Sequence, residues 1–270
     1  MKFYHSLLAT LLLIAAALPA VASQVETIKV ESESMKKQVD VSVVLPDAYG
    51  ARPLPVVYML HGYGDNNLVG YLGRTNVRQL ADQLNLIVVI PDGGTSWYFD
   101  SPVDPAYRYE TFVSKELVAY VDKNYLTDAR RERRAITGLS MGGHGALYLA
   151  IRHQDTFGAA GSMSGGVDFR PFPEKWDIKL RLGEQKKYKD NWEKNTVIAQ
   201  LPLLADGALA LIIDCGTEDF FFNVNLSLHN ALTERGIHHE FTSRLGNHSW
   251  AYWRRSLRDH MLFFSDYFCR

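Results

Sequence analysis

Two kinds of hydrophobic pattern divide this chain. In the first, ETIKVES (26–32) and KQVDVSVVLP (37–46), apolar and polar residues alternate, the period of a strand with one buried and one wet face. These segments predict two antiparallel strands. The pattern then changes to unbroken apolar runs, LPVVYML (54–60) and LNLIVVIP (84–91), which mark strands buried on both faces of a parallel sheet. Between them Val77, Leu80, Ala81 and Leu84 recur at helical spacing, and Val113, Leu117, Tyr120 and Val121 predict a second helix. Further strands are expected at RRAIT (133–137), FGAAGSMS (157–164), LALIIDC (209–215) and HEFTSRL (239–245). Helices are expected over 140–153, 225–235 and 250–268, the last with Trp253, Leu257, Met261, Phe264 and Phe268 on one face. Strand and helix alternate, which predicts an α/β fold: a mostly parallel, doubly wound sheet with antiparallel N-terminal strands.

Residues 166–207 break this rhythm. They carry Pro171, Pro173 and the charged run KLRLGEQKKYKD (179–190), and they read as an insertion over the active-site edge of the sheet. At the other end, Lys2, an apolar run from Leu7 to Leu18 and then Ala20-Val21-Ala22 have the three-part layout of a secretory signal peptide over residues 1–22. The run is short for a membrane span, which needs about 20 residues. A single catalytic domain over 23–270 and an exported protein, periplasmic or extracellular, are therefore expected, with no membrane anchor. A formal net charge of -1 and a pI near 6.8 give no field that would draw nucleic acid, so no nucleic-acid partner is expected. Cys215 and Cys269 are too few for a disulfide scaffold.

Chemistry concentrates at ITGLSMGGHGALYLA (136–150). Interior glycines cost a helix about 1 kcal/mol each relative to alanine, yet Gly142, Gly143 and Gly145 open this one. Gly138, Ser140 and Gly142 fit G-x-S-x-G, a sharp strand-to-helix turn with serine at its apex. A serine nucleophile needs a base, and in this type of turn an acid and then a histidine follow later in the chain. His248, after the last strand, fills the role of base. Asp214, Glu218 and Asp219 compete as the acid, and the reach of the loop favours Asp219. An oxyanion hole would take the backbone N–H of Met141 and that of Tyr63, in the loop after the first buried strand. His61 is expected to hold that loop. No metal-ligand spacing or phosphate-binding loop is present, so no metal and no cofactor are expected. Trp97, Tyr98 and Trp250, near the same sheet edge, are the candidates for substrate contact.

The ordered blocks YMLHGYG, SWYFDSP, GLSMGG, CGTEDF and NHSWAYW resemble the esterase D-type esterases of the α/β-hydrolase superfamily, across nearly the whole chain after residue 22. That group includes S-formylglutathione hydrolases, acetyl and feruloyl esterases, tributyrin esterases and mycolyltransferases. The resemblance implies an α/β-hydrolase fold, a triad of Ser140, Asp219 and His248, and oxyanion donors at Tyr63 and Met141. It also implies a secreted serine esterase acting through an acyl-serine on short-chain acyl or plant-polysaccharide (acetyl or feruloyl) esters. The alternative is an acyltransferase of the mycolyltransferase type that uses the same triad.

Overall fold

The computed structural model describes residues 23–270; the expected signal segment, residues 1–22, lies outside the described residues. Eight strands form one sheet in the order β1-β2-β4-β3-β5-β6-β7-β8. β1 (Gln24–Ser32) pairs antiparallel with β2 (Lys37–Leu45), and β2 pairs antiparallel with β4 (Ile87–Pro91). All later pairings are parallel, through β3 (Val56–Leu60), β5 (Arg134–Leu139), β6 (Ala159–Met163), β7 (Ala210–Gly216) and β8 (Glu240–Arg244). This is the mostly parallel sheet with antiparallel N-terminal strands that the hydrophobic pattern predicts, in the α/β-hydrolase arrangement that the resemblance implies.

The unbroken apolar runs are explained by two cores, one on each face. Along β3, Val56, Tyr58 and Leu60 join a layer with Phe112, Val113 and the helix Met141–Arg152. Val57 and Met59 point the other way, against the helices Val77–Leu84 and Trp250–Phe268. The C-terminal helix buries Trp253, Leu257, Met261, Phe264 and Phe268, the face its spacing predicts. Each such side chain contributes on the order of 1.5–3 kcal/mol by leaving water. The edge strand β8, whose sequence EFTSR offers only Phe241 as an apolar residue, buries far less.

Two boundaries differ from expectation for local reasons. The helix Val77–Leu84 is capped by Asn85 in the left-handed region (φ 51), so β4 begins only at Ile87. The helix expected over 225–235 begins at Phe222, because Asp219 receives the N–H groups of Phe221 and Phe222 and starts the turn early. Cys215 is buried and Cys269 exposed; both are free thiols. No helix among the described residues is long and apolar enough to cross a membrane.

Candidate active site

β3, β5, β7 and β8 end at the same edge of the sheet, where open α/β folds place their sites. Each ends in a loop that carries one element of the site. After Leu139 the chain turns so sharply that Ser140 sits at φ 56, ψ -117, a conformation that costs a side-chain-bearing residue roughly 1–3 kcal/mol. Three hydrogen bonds hold it there. The Ser140 N–H donates to the Met163 carbonyl (3.0 Å), and the Ser140 carbonyl accepts from Gly166 N–H (3.1 Å) and His144 N–H (3.1 Å). The flanking glycines are required by space. A Cβ on Gly142 would collide with the Leu60 carbonyl and lie 2.7 Å from the His61 carbonyl oxygen, and one on Gly138 would collide with the Gly142 backbone. The helix can enter this close to β3 only without those side chains.

The Ser140 hydroxyl lies 2.9 Å from His248 Nε2, and His248 Nδ1 lies 2.7 Å from Asp219 Oδ2. The Asp219 side chain is fully buried, and its second oxygen accepts the Phe221 N–H at 2.8 Å. With the aspartate ionised, Nδ1–H donates to it, which leaves Nε2 as the acceptor of the serine proton. The imidazole is further held between aromatic rings: Phe220 (centroids 4.3 Å apart), Phe221 (5.5 Å) and Trp253 (4.8 Å, near perpendicular). Asp214 and Glu218, the competing acids, do not reach His248. Asp214 accepts from Ser256 (2.5 Å) and faces His260 Nε2 (2.8 Å), tying β7 to the C-terminal helix.

The loop after β3 is set by His61, which is fully buried. The Gly93 N–H donates to its Nε2 (2.7 Å), so the ring proton sits on Nδ1 and donates to the Gly62 carbonyl (2.8 Å). Asp65 N–H donates to the same carbonyl at 3.2 Å. No peptide bond in the described chain is cis. In a trans peptide C=O and N–H point opposite ways, so fixing the Gly62 carbonyl aims the Tyr63 N–H away from it. Neither the Tyr63 N–H nor the Met141 N–H has a protein acceptor among the described residues. His144, on the helix after Ser140, is buried with its two ring nitrogens facing the carbonyls of Trp97 (3.0 Å) and Asn195 (2.8 Å). Burial holds its pKa down to about 4.

A cavity of about 300 Å³ opens beside Ser140 and His248, lined among others by Tyr63, Trp176, Phe220, Trp250 and Trp253. Trp250 is where the sequence suggested. Trp97 and Tyr98 are not: both are fully buried and neither lines the cavity. Both adopt left-handed backbone conformations (φ 57 and 62). Trp97 Nε1 donates to the Trp176 carbonyl (3.1 Å) and the Tyr98 hydroxyl to the His61 carbonyl (3.1 Å), so they brace the loops that form the site. Trp176 was not foreseen. It lies in the 166–207 segment, stacks on Phe220 with centroids 5.5 Å apart, and is followed by Asp177, which accepts the Tyr63 hydroxyl at 3.0 Å. Its only signal in the sequence is an aromatic residue within the proline-marked stretch PFPEKW (171–176). Among the described residues no group of three or more His, Cys, Asp or Glu side chains is arranged to hold a metal ion.

Comparison with known proteins agrees with this architecture. The chain is 29% identical over 270 residues to a diacylglycerol acyltransferase/mycolyltransferase Ag85B of Mycobacterium leprae, covering 86% of this chain and 81% of that protein. It is 24% identical over 251 residues to an acetyl esterase of Caldicellulosiruptor saccharolyticus, covering 83% and 91%. Its fold matches that of a ferulic acid esterase with a TM-score of 0.78 and 28% identity, over 92% of this chain and 99% of that one. The esterase family profile described as "Putative esterase" matches residues 32–264. This protein belongs to that family and is a carboxylic ester hydrolase on an α/β-hydrolase fold.

Proposed function

We propose that the protein hydrolyses carboxylic esters through an acyl-serine intermediate, with Ser140 as nucleophile, His248 as base and Asp219 as the acid that orients it. The observation that carries this reading is the unbroken hydrogen-bonded series from Ser140 Oγ through His248 to Asp219, at 2.9 and 2.7 Å. His248 Nε2 takes the serine proton as Oγ bonds to the ester carbonyl carbon, and the carbonyl oxygen becomes an anion. The N–H groups of Tyr63 and Met141 are the donors suited to receive it. Collapse expels the alcohol, which takes the proton back from His248. Water then repeats the sequence and releases the acid and free Ser140.

The substrates that suit the cavity are short acyl esters and acetyl or feruloyl esters on polysaccharide, with Trp176, Phe220 and Trp250 as flat apolar surfaces for an aromatic or sugar ring. Residues 1–22 support export of the mature chain. A second reading, transfer of the acyl group to a sugar hydroxyl in place of water, is favoured by the similarity to the mycolyltransferase over most of both chains. The test is kcat/KM on p-nitrophenyl acetate and on methyl ferulate, with and without a sugar acceptor, for the wild type and Ser140→Ala. Turnover that depends on Ser140 is expected, and a transfer product would select the second reading. A Ser140→Ala protein with a tenth of wild-type turnover would overturn both.

A further inference from the structure

The cavity beside Ser140 holds one cationic side chain, Arg74, that the proposed reaction does not use. Arg74, the last residue of the short helix Tyr71–Arg74, lines this cavity together with Ser140, His248 and Trp250. Its guanidinium makes no ion pair and no hydrogen bond among the described residues. Arg74 is exposed at the cavity rim, whereas every buried or half-buried arginine is paired with a carboxylate: Arg131 with Glu132, Arg133 with Asp128, Arg134 with Asp122, Arg170 with Asp168, Arg181 with Asp104 and Arg244 with Asp259. Arg74 instead lies over the ring of Trp250, 5.8 Å from its centroid. Trp250 is itself fixed edge-on against Tyr71 (5.7 Å) and Trp253 (5.4 Å), and Trp253 packs on His248. The cation is thus supported by the same aromatic stack that supports the proposed base.

The acids nearby are engaged elsewhere. Asp65 lines the same cavity, but its carboxylate accepts the Asn66 N–H (2.9 Å) and packs against Gly70, where a Cβ would lie 2.5 Å from Oδ2 and 3.0 Å from Oδ1. Asp177 accepts the Tyr63 hydroxyl. Arg74 therefore faces the cavity with its planar donor fork unoccupied. A guanidinium cannot shed its proton, and its parallel N–H groups match the two oxygens of a carboxylate. An aromatic face beneath the cation fixes the plane of the fork before the ligand arrives.

We infer that Arg74 is a specificity residue for esters that carry a carboxylate remote from the scissile bond. This rests on the proposed esterase reading, and deepens it by assigning the charge of the substrate. The carboxylate could belong to the acyl part, as in a half-ester of a dicarboxylic acid, or to the alcohol part, as in an ester of a hydroxy acid.

Paired substrates separate the two. Phenyl hydrogen adipate and the phenyl ester of adipic acid monoamide place charge or no charge on the acyl side. 4-Acetoxybenzoate and 4-acetoxybenzamide do so on the alcohol side. The readout is the ratio of kcat/KM within each pair, which cancels losses common to both members. In the wild type one pair should favour the carboxylate by about tenfold, the scale of one charge-assisted hydrogen bond. Arg74→Met should bring that ratio to about one, and Arg74→Lys should keep part of it. The same four compounds, titrated into Ser140→Ala protein with and without Arg74→Met, report binding independently of turnover. If no ester is hydrolysed but an Arg74-dependent preference for carboxylate binding persists, the esterase reading fails and the site stands. Ratios near one in both pairs, or a preference that survives Arg74→Met, would overturn the assignment while Ser140-dependent turnover of the neutral esters left the esterase reading intact.

Discussion

Replacing Gly142 by alanine sets two physical effects against each other. Helix propensity alone favours alanine by about 1 kcal/mol in the first turn of Met141–Arg152. Space opposes it. The new Cβ would collide with the Leu60 carbonyl oxygen and lie 2.5 Å from the Leu60 carbonyl carbon and 2.7 Å from the His61 oxygen. All three are backbone atoms and cannot rotate aside, so helix and strand must separate. Overpacking of this kind costs 1–3 kcal/mol and sometimes more. Ordinary carbon contacts begin near 3.5 Å, which places this case at the high end. The net expectation is destabilisation of about 2 kcal/mol, seen in urea as a midpoint lowered by roughly 1 M at a typical slope. Leu60 and His61 lead directly into the Gly62–Tyr63 peptide, so the shift also moves one proposed oxyanion donor; a displacement near 1 Å is worth about 10²-fold in rate. Gly73→Ala is the control. It lies in a helix where a Cβ would meet only the Leu68 oxygen at 3.9 Å, and it should be neutral or slightly stabilising. If Gly142→Ala equalled or exceeded the wild type in stability, the close-approach explanation for the glycines of this turn would be wrong.

Asp219→Asn tests the tautomer argument. Because the Phe221 N–H requires an oxygen at one position of the side chain, the amide nitrogen would face His248 Nδ1 and drive the ring proton to Nε2, where it can no longer accept from serine. A fall in kcat of about 10⁴ is expected with unchanged circular dichroism; a loss under tenfold would contradict it. His144 links the same region to acid stability. Its pKa of about 4 lies below the ordinary value of 6.5, so its contribution is complete above pH 6.5 and is lost as pH falls toward 4, where the unfolded chain takes up the proton first. At 1.36 kcal/mol for each pH unit the loss is about 3 kcal/mol. Denaturation between pH 4 and 7 should show a flatter pH dependence for His144→Gln than for the wild type, and parallel curves would refute the assignment.

Much of this architecture is legible along the chain because its signals are local. Double-sided burial of β3 and β4 forces unbroken apolar runs, and the crowded turn at Ser140 forces glycines that no helix would otherwise choose. The positions of Ser140, Asp219 and His248 at strand ends follow from the same alternation, and the fold brings the three within hydrogen-bonding distance. What could not be read depends on which way a side chain turns in a loop. Trp97 and Tyr98 stand beside the site in sequence, but positive φ values turn them into the core. Trp176 reaches the cavity only because a segment without periodicity folds back over the sheet edge and is clasped by Tyr63 and Trp97. Arg74 gave no motif at all; its significance comes from its place in the cavity wall over Trp250, which only three-dimensional packing reveals.

If the proposed mechanism holds, Ser140 carries the acyl group during turnover. The most direct measurement mixes enzyme with p-nitrophenyl acetate, quenches in acid within the first turnover, and determines the mass of the peptide that contains residue 140. A peptide heavier by one acetyl group is expected in the wild type and an unmodified peptide in Ser140→Ala, with a p-nitrophenol burst in the former alone. An acetylated peptide elsewhere in the chain, or full turnover by Ser140→Ala, would contradict it.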